Sequence, residues 1–516
     1  VEQPTVRLAE LLATLSLGTD LGMGQPMEHV LRQSLIALRL AERLGLDDGE
    51  RRVVYYVSLL SWVGCHVDAY EQAKWFGDDT ALKGEFRQID SGRPLPRAAF
   101  MLRHIGSGRP MLERAKVGIA FLGDGRRAAE EMIENHWLAT NEFATRLGLG
   151  PEVSESLYQT FERWDGKGVP AEARQNGISV TARLVNLADV VEVYHRAGGV
   201  QAAIAVARER SGTQFDPALV DLFCDEAPAL FDQLDSLASW DAVIKAEPAL
   251  AVVLTDEEFE SALEAIADFT DLKSPWTIGH SRGVANLAEA AARLYGLDDG
   301  DATLVRRAGL VHDLGRLGVS NAIWDKPETL TVAELERVRL HPYLTERMLA
   351  SSPGLARLSA VAVQHHERLD GSGYPRGLVG DSLTPPGKIL AAADAYHAMT
   401  EPRPHRTARS AEDAALELRS GVGRALFDSD AVDAVLRAAG HPVKLRRSWP
   451  GGLTTREVDV LRLLVRGLSN KEIAEQLVIS NRTADNHIAH IYTKLGVSNR
   501  ARASLFAMKH GLMTRE

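Results

Sequence analysis

The residues best able to do chemistry are His280, the adjacent His312 and Asp313, His341, the adjacent His365 and His366, and Asp394. A lone histidine on an apolar helix is usually structural. Adjacent imidazole and carboxylate groups behind the apolar helical stretch LVRRAGLV are a different case, because a carboxylate buried without a counter-charge is costly. A metal ion relieves that cost. Mixed imidazole and carboxylate donors suit a borderline first-row metal such as iron, manganese, zinc or nickel, and the ligands are numerous enough for two ions. Two neighbouring ions lower the pKa of a shared water and clamp the attacking and leaving oxygens of a phosphoester, so the expected chemistry is phosphoester hydrolysis.

Helices must bring these side chains together. Apolar residues recur at helical spacing, as in Leu304, Ala308 and Val311 or Val458, Leu461 and Leu464, and the expected fold is all-α. The chain also repeats itself. GLDDG at 45–49 returns at 296–300, and at that offset His29 falls on His280. ERWDGKGVP at 162–170 resembles ERLDGSGYP at 367–375 at a smaller offset, which places an insertion in the first copy, within 70–127. At this second offset His136 falls on His341 and Asp189 on Asp394. Ser61 and Trp62 replace the His312-Asp313 pair, and Thr160 and Phe161 replace His365-His366, so the site cannot assemble in the first copy. A structural or regulatory half is expected there, with Trp62, Phe161 and Trp164 filling the space. The expected architecture is two tandem helical domains, 1–245 and 250–445, then the linker WPGG at 449–452 and a small domain at 451–516.

Composition bounds the function. The chain has 516 residues, 45% of them hydrophobic and 25% charged, with a net charge of -11, which excludes wholesale disorder and a nucleic-acid glove spanning the whole chain. Two cysteines, Cys65 and Cys224, offer neither a disulfide framework nor a cysteine-built zinc site. No basic leader opens the chain and no apolar run approaches the roughly 20 residues that span a bilayer, so a cytoplasmic protein without membrane contact is expected.

HDLGR at 312–316 together with HHERLDGSGYP at 365–375 resembles the HD-GYP subgroup of the HD-superfamily metal phosphohydrolases. The resemblance implies a helical bundle around a di-metal centre, iron or manganese in most members, that hydrolyses cyclic di-GMP. It also implies that His280, His312, Asp313, His341, His365, His366 and Asp394 are the ligands, with Asp313 as the bridge. Tyr374 would pack against the nucleotide, and Arg403 and Arg406 would contact phosphate, a role that suits the planar guanidinium. Arg316 stands where the family usually has lysine, keeping a positive charge near the scissile phosphate, in a catalytic role with Asp313. Trp276 stands where some members have a glutamate for a third metal, so two ions are expected, and His397 replaces a usual aspartate.

From Leu453 onwards ten Lys and Arg face six Asp and Glu, a local excess of positive charge in an acidic chain. Thr454 with Glu457 and Ser469 with Glu472 read as capping boxes, and a third helix is expected after Ser480. The stretch LTTREVDVLRLLVRGLSNKEIAEQLVISNRTADNHIAHIYTKLGVSNR resembles the LuxR-type helix-turn-helix of bacterial transcription regulators. That resemblance implies a recognition helix at 482–495, a core of Ile473, Ala474, Leu477 and Val478, and a last helix at 500–510 that supports a homodimer. Arg482 and Lys494 would touch phosphates and Asn486 and His490 would reach base edges, Thr483 lies on the same DNA-facing helix, and Asp485 stands where many members are basic.

The joined expectation is a DNA-binding transcription regulator, carrying a degenerate and an intact HD-type bundle, that hydrolyses cyclic di-GMP and binds promoter half-sites. The alternative is a non-catalytic sensor in which cyclic di-GMP or another nucleotide controls DNA binding without turnover.

Overall fold

The computed structural model describes residues 6–234, 239–248, 252–442, 449–477 and 479–513. These are helical throughout, with only isolated β-bridges. None of the described helices is long and apolar enough to cross a membrane. His441 ends one compact unit, which holds both copies of the repeat, and Pro442 begins a second.

The first copy comprises α1 (Leu8–Gly22), α2 (His29–Arg43), α3 (Asp48–Leu60), α4 (Ala69–Phe76), α5 (Asp79–Phe86), α6 (Pro94–His104), α7 (Met111–Arg146), α8 (Pro151–Tyr158), α9 (Val180–Glu209), α10 (Pro217–Phe231) and α11 (Ser239–Lys245). The second comprises α12 (Asp256–Asp271), α13 (His280–Tyr295), α14 (Asp299–Val311), α15 (Asn321–Trp324), α16 (Val332–Arg339), α17 (His341–Leu349), α18 (Pro353–Ala362), α19 (Pro385–Thr400), α20 (Ala411–Gly423) and α21 (Ser429–Ala438). In each copy a helix that starts on a histidine lies against its neighbours: α2 packs on α3 and α9, and α13 on α14, α19 and α21.

The repeated motifs turn out to build turns. In GLDDG the glycine takes a left-handed conformation, φ +72° at Gly45 and +102° at Gly296, which ends one helix. Its first aspartate then caps the next, with Asp47 accepting from Glu50 N and Asp298 from Asp301 N. The glutamate that opens the second repeated motif is buried in both copies and ties down the loop that follows. Glu162 accepts from the backbone of Glu172 and Ala173, and Glu367 from that of Arg376 and Leu378.

One proline separates the copies locally. Pro342 in the first turn of α17 starts a new helix beside His341, whereas Trp137 stands at the matching place and α7 runs unbroken through His136. The extra residues of the first copy form α5, α6 and the start of α7. The copies pack reciprocally, α1 against the 3-10 turn Leu314–Gly318 and α12 against α7.

The second unit holds α22 (Thr455–Val465), α23 (Asn470–Leu477), α24 (Asn481–Leu495) and α25 (Arg500–Lys509). Both expected capping boxes form, Thr454 with Glu457 and Ser469 with Glu472. Ile473 and Ala474 are core residues and Leu477 packs against them, while Val478 lies outside the described residues.

Candidate functional site

The first determinant of the site is the state of its imidazoles. His312, His341 and His365 each donate Nδ1–H to the backbone carbonyl three residues earlier, at 2.7 Å to Gly309, 2.6 Å to Val338 and 2.6 Å to Ala362. A carbonyl can only accept, so a neutral ring leaves Nε2 as a bare lone pair. All three rings are buried. His312 Nε2 has no hydrogen-bond partner among the described residues, and the Nε2 atoms of His341 and His365 face each other at 3.0 Å. Burial, with His312 and His341 beside it, pushes His365 down to about 3, and burial holds His366 well below the usual histidine range. Buried rings whose Nε2 atoms point inward fit a cation.

Asp313 organises the remainder. Its Oδ1 lies 3.3 Å from His341 Nε2 and 3.7 Å from His365 Nε2, and its Oδ2 lies 3.7 Å from His312 Nε2 and 3.9 Å from His280 Nε2. Each oxygen therefore faces a different group of donors. Among the donor groups close enough to share an ion, His280, His312 and Asp394 form one beside Oδ2, and His341, His365 and His366 form another beside Oδ1. Asp394 approaches His280 at 3.3 Å and His366 at 3.9 Å. Burial would raise the Asp313 carboxyl, but His312, Arg316 and His341 hold it well below the carboxylate range. The structure thus brings together all seven residues expected as ligands.

Helix ends place them. His280 and His341 open α13 and α17, while His312 and Asp313 follow α14 into the 3-10 turn. Gly315 lets that turn touch α17, since a Cβ there would meet the His341 carbonyl at 2.0 Å. Thr345 fastens the contact, accepting from Gly315 N at 2.9 Å and donating to the His312 carbonyl at 3.0 Å.

Arg316 lies 3.1 Å from Asp313 Oδ2, with its guanidinium 4.0 Å from the centroid of the Trp324 ring. Tyr374 lies against His366, ring centroids 4.7 Å apart. Arg403 borders the centre through Glu401, at 2.9 Å, and the Trp276 carbonyl. Arg406 donates instead to the carbonyls of Ala398, Met399, Glu401 and Thr407, holding the turn after α19. Sequence reasoning missed Glu401, whose Oε2 lies 2.8 Å from His280 Nδ1 and so directs Nε2 inward. Its position at the head of the stretch that carries Arg403 and Arg406 was the available signal. Thr345 and Trp324 were also missed.

In the first copy the same pocket is closed by side chains. His29 lies 3.0 Å from Asp189 and 2.5 Å from Glu192. Arg87, following α5, approaches both Asp189 oxygens and stacks on Trp62 at 4.6 Å. Phe161 packs on Trp62 and on His136, while Trp164 lies under the Arg183 guanidinium. Burial pushes His136 down to about 4.

In the C-terminal unit, Ala484, Ile488 and Ile491 bury one face of α24, and Arg482, Thr483, Asp485, Asn486, His490 and Lys494 are exposed. Thr483 belongs to the helix cap, its hydroxyl 2.7 Å from that of Ser480. Asp485 accepts from Asn470 at 2.6 Å, and Lys494 reaches the buried Glu457 at 2.8 Å.

Comparison with known proteins agrees with this organisation. The HD domain family matches residues 124–219 and 264–431, one segment in each copy, and the family of bacterial regulatory proteins of the luxR type matches 452–507. The 3'3'-cGAMP-specific phosphodiesterase 3 of Vibrio cholerae is 33% identical over 413 residues, covering 79% of this chain and 89% of its own. The cyclic di-GMP phosphodiesterase response regulator RpfG of Xanthomonas campestris is 31% identical over 184 residues, 35% of this chain and 48% of its own. A crystal structure of a cyclic GMP-AMP-specific phosphodiesterase of V. cholerae superimposes with a TM-score of 0.59 at 27% identity, covering 85% of this chain and 99% of that one. With both copies matched, a relative matched along most of its length and the clustered histidines and aspartates in place, the chain belongs to the HD-domain family of metal phosphohydrolases, in HD-GYP-like form, fused to a LuxR-type helix-turn-helix domain.

Proposed function

We propose that the second copy is a two-metal phosphodiesterase acting on a 3'3'-linked cyclic dinucleotide, and that the C-terminal domain makes the protein a transcription regulator. The observation that carries the reading is Asp313, whose two oxygens face separate groups of donors. His280, His312 and Asp394 would hold one ion and His341, His365 and His366 the other, with Asp313 between them. Iron or manganese is the choice that the family resemblance implies, while zinc or nickel also suits this nitrogen and oxygen set. When bound, the metals would supply an activated water and neutralise charge on the phosphate.

The chain's own residues bind and orient. Arg316, steadied on Trp324, offers its remaining N–H groups to a phosphate beside Asp313. Tyr374 gives the nucleotide base a ring to lie on, Arg403 meets phosphate at the edge of the site, and Arg406 shapes the turn that carries it. The first copy, 1–245, acts as a structural or regulatory half for the metal-bearing 250–445.

Two substrates compete. A relative similar across both copies is specific for 3'3'-cGAMP, and relatives matching part of the chain include both 3'3'-cGAMP-specific and cyclic di-GMP phosphodiesterases. Anaerobic incubation of iron- or manganese-loaded protein with each, followed by chromatography for the linear dinucleotide, decides between them, with Asp313→Ala as control. No product from either, with two metals bound, would sink the enzyme and favour the sensor. The engagement of Arg316 with both Asp313 and Trp324 supports that second reading.

In 451–516, Arg482 would bind phosphate, Asn486 and His490 would reach base edges, and Thr483, Asp485 and Lys494 would border them. A homodimer would place two such helices on promoter half-sites. Gel-shift assays on promoter fragments with and without the cyclic dinucleotide test the coupling.

A further inference from the structure

A cleft of about 700 Å³ runs between the two copies, and none of the seven candidate ligands lines it. One wall is α5, from the segment inserted in the first copy, and a second is α9. The third is the chain directly after the HDLGR turn, residues 318–320, with the start of α17. It is far larger than an inorganic ion requires and falls within the roughly 300–1,000 Å³ of ordinary small-molecule sites.

Its charges are unequally committed. Asp78 is used as the cap of α5, accepting from Thr80 N and Ala81 N at 3.0 Å each. Glu85 lies 3.2 Å from both Arg103 and His104. On the cationic side, Arg196 reaches Gln25 at 2.6 Å and Glu192 at 3.3 Å, while the exposed Arg337 side chain has no partner among the described residues. Among these charged side chains only that of Arg337 is uncommitted. Val193, Val319 and Leu344 line the same space with apolar surface suited to a flat ring.

We propose that this cleft is a second ligand site, distinct from the metal centre, for a phosphorylated nucleotide whose phosphate is held by Arg337 and Arg196. The proposal does not require turnover at the metal centre. Its regulatory consequence follows from α5, which is tied down at both ends. Asp79 accepts from Ser320 Oγ at 2.6 Å and Asn321 N at 2.9 Å, a few residues beyond the turn that carries Asp313. Lys83 lies 3.3 Å and Lys273 3.7 Å from the other Asp79 oxygen. At the far end Arg87 grips Asp189 in the closed pocket of the first copy. A ligand bearing on α5 thus acts on the rear of the metal centre and on the degenerate pocket together, to the extent that it binds their two arrangements unequally.

Calorimetric titration of the full chain with GMP, which has no phosphodiester to cleave, tests the site. Arg337→Glu and the cleft-filling Ala197→Trp are each expected to weaken GMP binding on the order of tenfold or more. Asp313→Ala is expected to leave it within about twofold. Absence of GMP binding to the unaltered chain, binding that survives both cleft substitutions, or binding lost in Asp313→Ala while Arg337→Glu retains it would each overturn the proposal. The last result would place the nucleotide at the metal centre. Because the readout is binding, failure of the phosphodiesterase reading leaves this test intact.

Discussion

Arg87 Nε lies 3.0 and 3.1 Å from the two carboxylate oxygens of Asp189, at the place where Asp394 of the second copy faces the imidazoles of His280, His312 and His366. A guanidinium carried by the inserted segment thus pairs the carboxylate whose counterpart in the second copy faces three imidazoles. The substitution of Asp313 by Trp62 fits this exchange, because the indole gives the guanidinium a face to stack on.

Removing that guanidinium leaves Asp189 buried with only a histidine for charge. Arg87→Ala is expected to destabilise the first unit by about 3–5 kcal/mol, the usual cost of breaking a buried ion pair from one side. Urea unfolding measures it. A midpoint equal to that of the unaltered chain would show that Arg87 is not the stand-in cation.

The same pocket sets a pH dependence. Burial alone would lower His29, but Glu192 and Asp189 on its two nitrogens bring it up from 6.5 to about 9. Since the folded pKa is the higher one, its stabilisation is complete below pH 6.5 and is lost as pH rises through about 9. Melting temperature should therefore fall across that window in the unaltered chain and fall less in His29→Gln. Parallel profiles would remove His29 from the account.

Glu401 lies 2.8 Å from His280 Nδ1 and so orients the His280 ring. Glu401→Gln is expected to weaken metal binding roughly 10–100-fold while leaving the fold intact. Metal analysis after dialysis against a graded chelator reads this out. Retention equal to the unaltered chain would mean that the ring of His280 is held by its packing.

Arg316 separates enzyme from sensor. If it meets phosphate, Arg316→Ala should slow hydrolysis on the order of a hundredfold with metal content unchanged, since only transition-state charge is affected. Loss of metal together with rate would assign Arg316 to holding Asp313.

On the C-terminal domain, Arg482→Ala should weaken binding to all DNA sequences alike and reduce the salt dependence by about one phosphate contact. Asn486→Ala should relax preference at one base pair, at a cost of about 1–3 kcal/mol for the preferred sequence. Fluorescence anisotropy over a salt series distinguishes the two. Identical behaviour of both variants would argue against a recognition role for this helix.

Much of the candidate site was legible because its ligands travel in motifs. His312 with Asp313 and His365 with His366 are adjacent in sequence, and a repeat offset pointed to His280, His341 and Asp394. The capping boxes before α22 and α23 were legible for a similar reason, since a hydroxyl and a carboxylate three residues apart satisfy their own helix end. Glu401 was less visible because its partner, His280, lies 121 residues away. Arg87 was invisible, because the inserted segment has no counterpart in the second copy against which its role could be compared.

By itself the sequence determined the helical elements, the repeated motifs and the seven candidate donors, together with their partial absence from the first copy, all of which depend on residue type and local spacing. Only the tertiary structure decided that each Asp313 oxygen faces its own group of donors, that Arg87 fills the empty copy, and that α5 joins the two pockets beside a cleft. Those facts depend on where helix ends meet, and such meetings are set by the packing of buried faces across hundreds of residues, which no local pattern encodes.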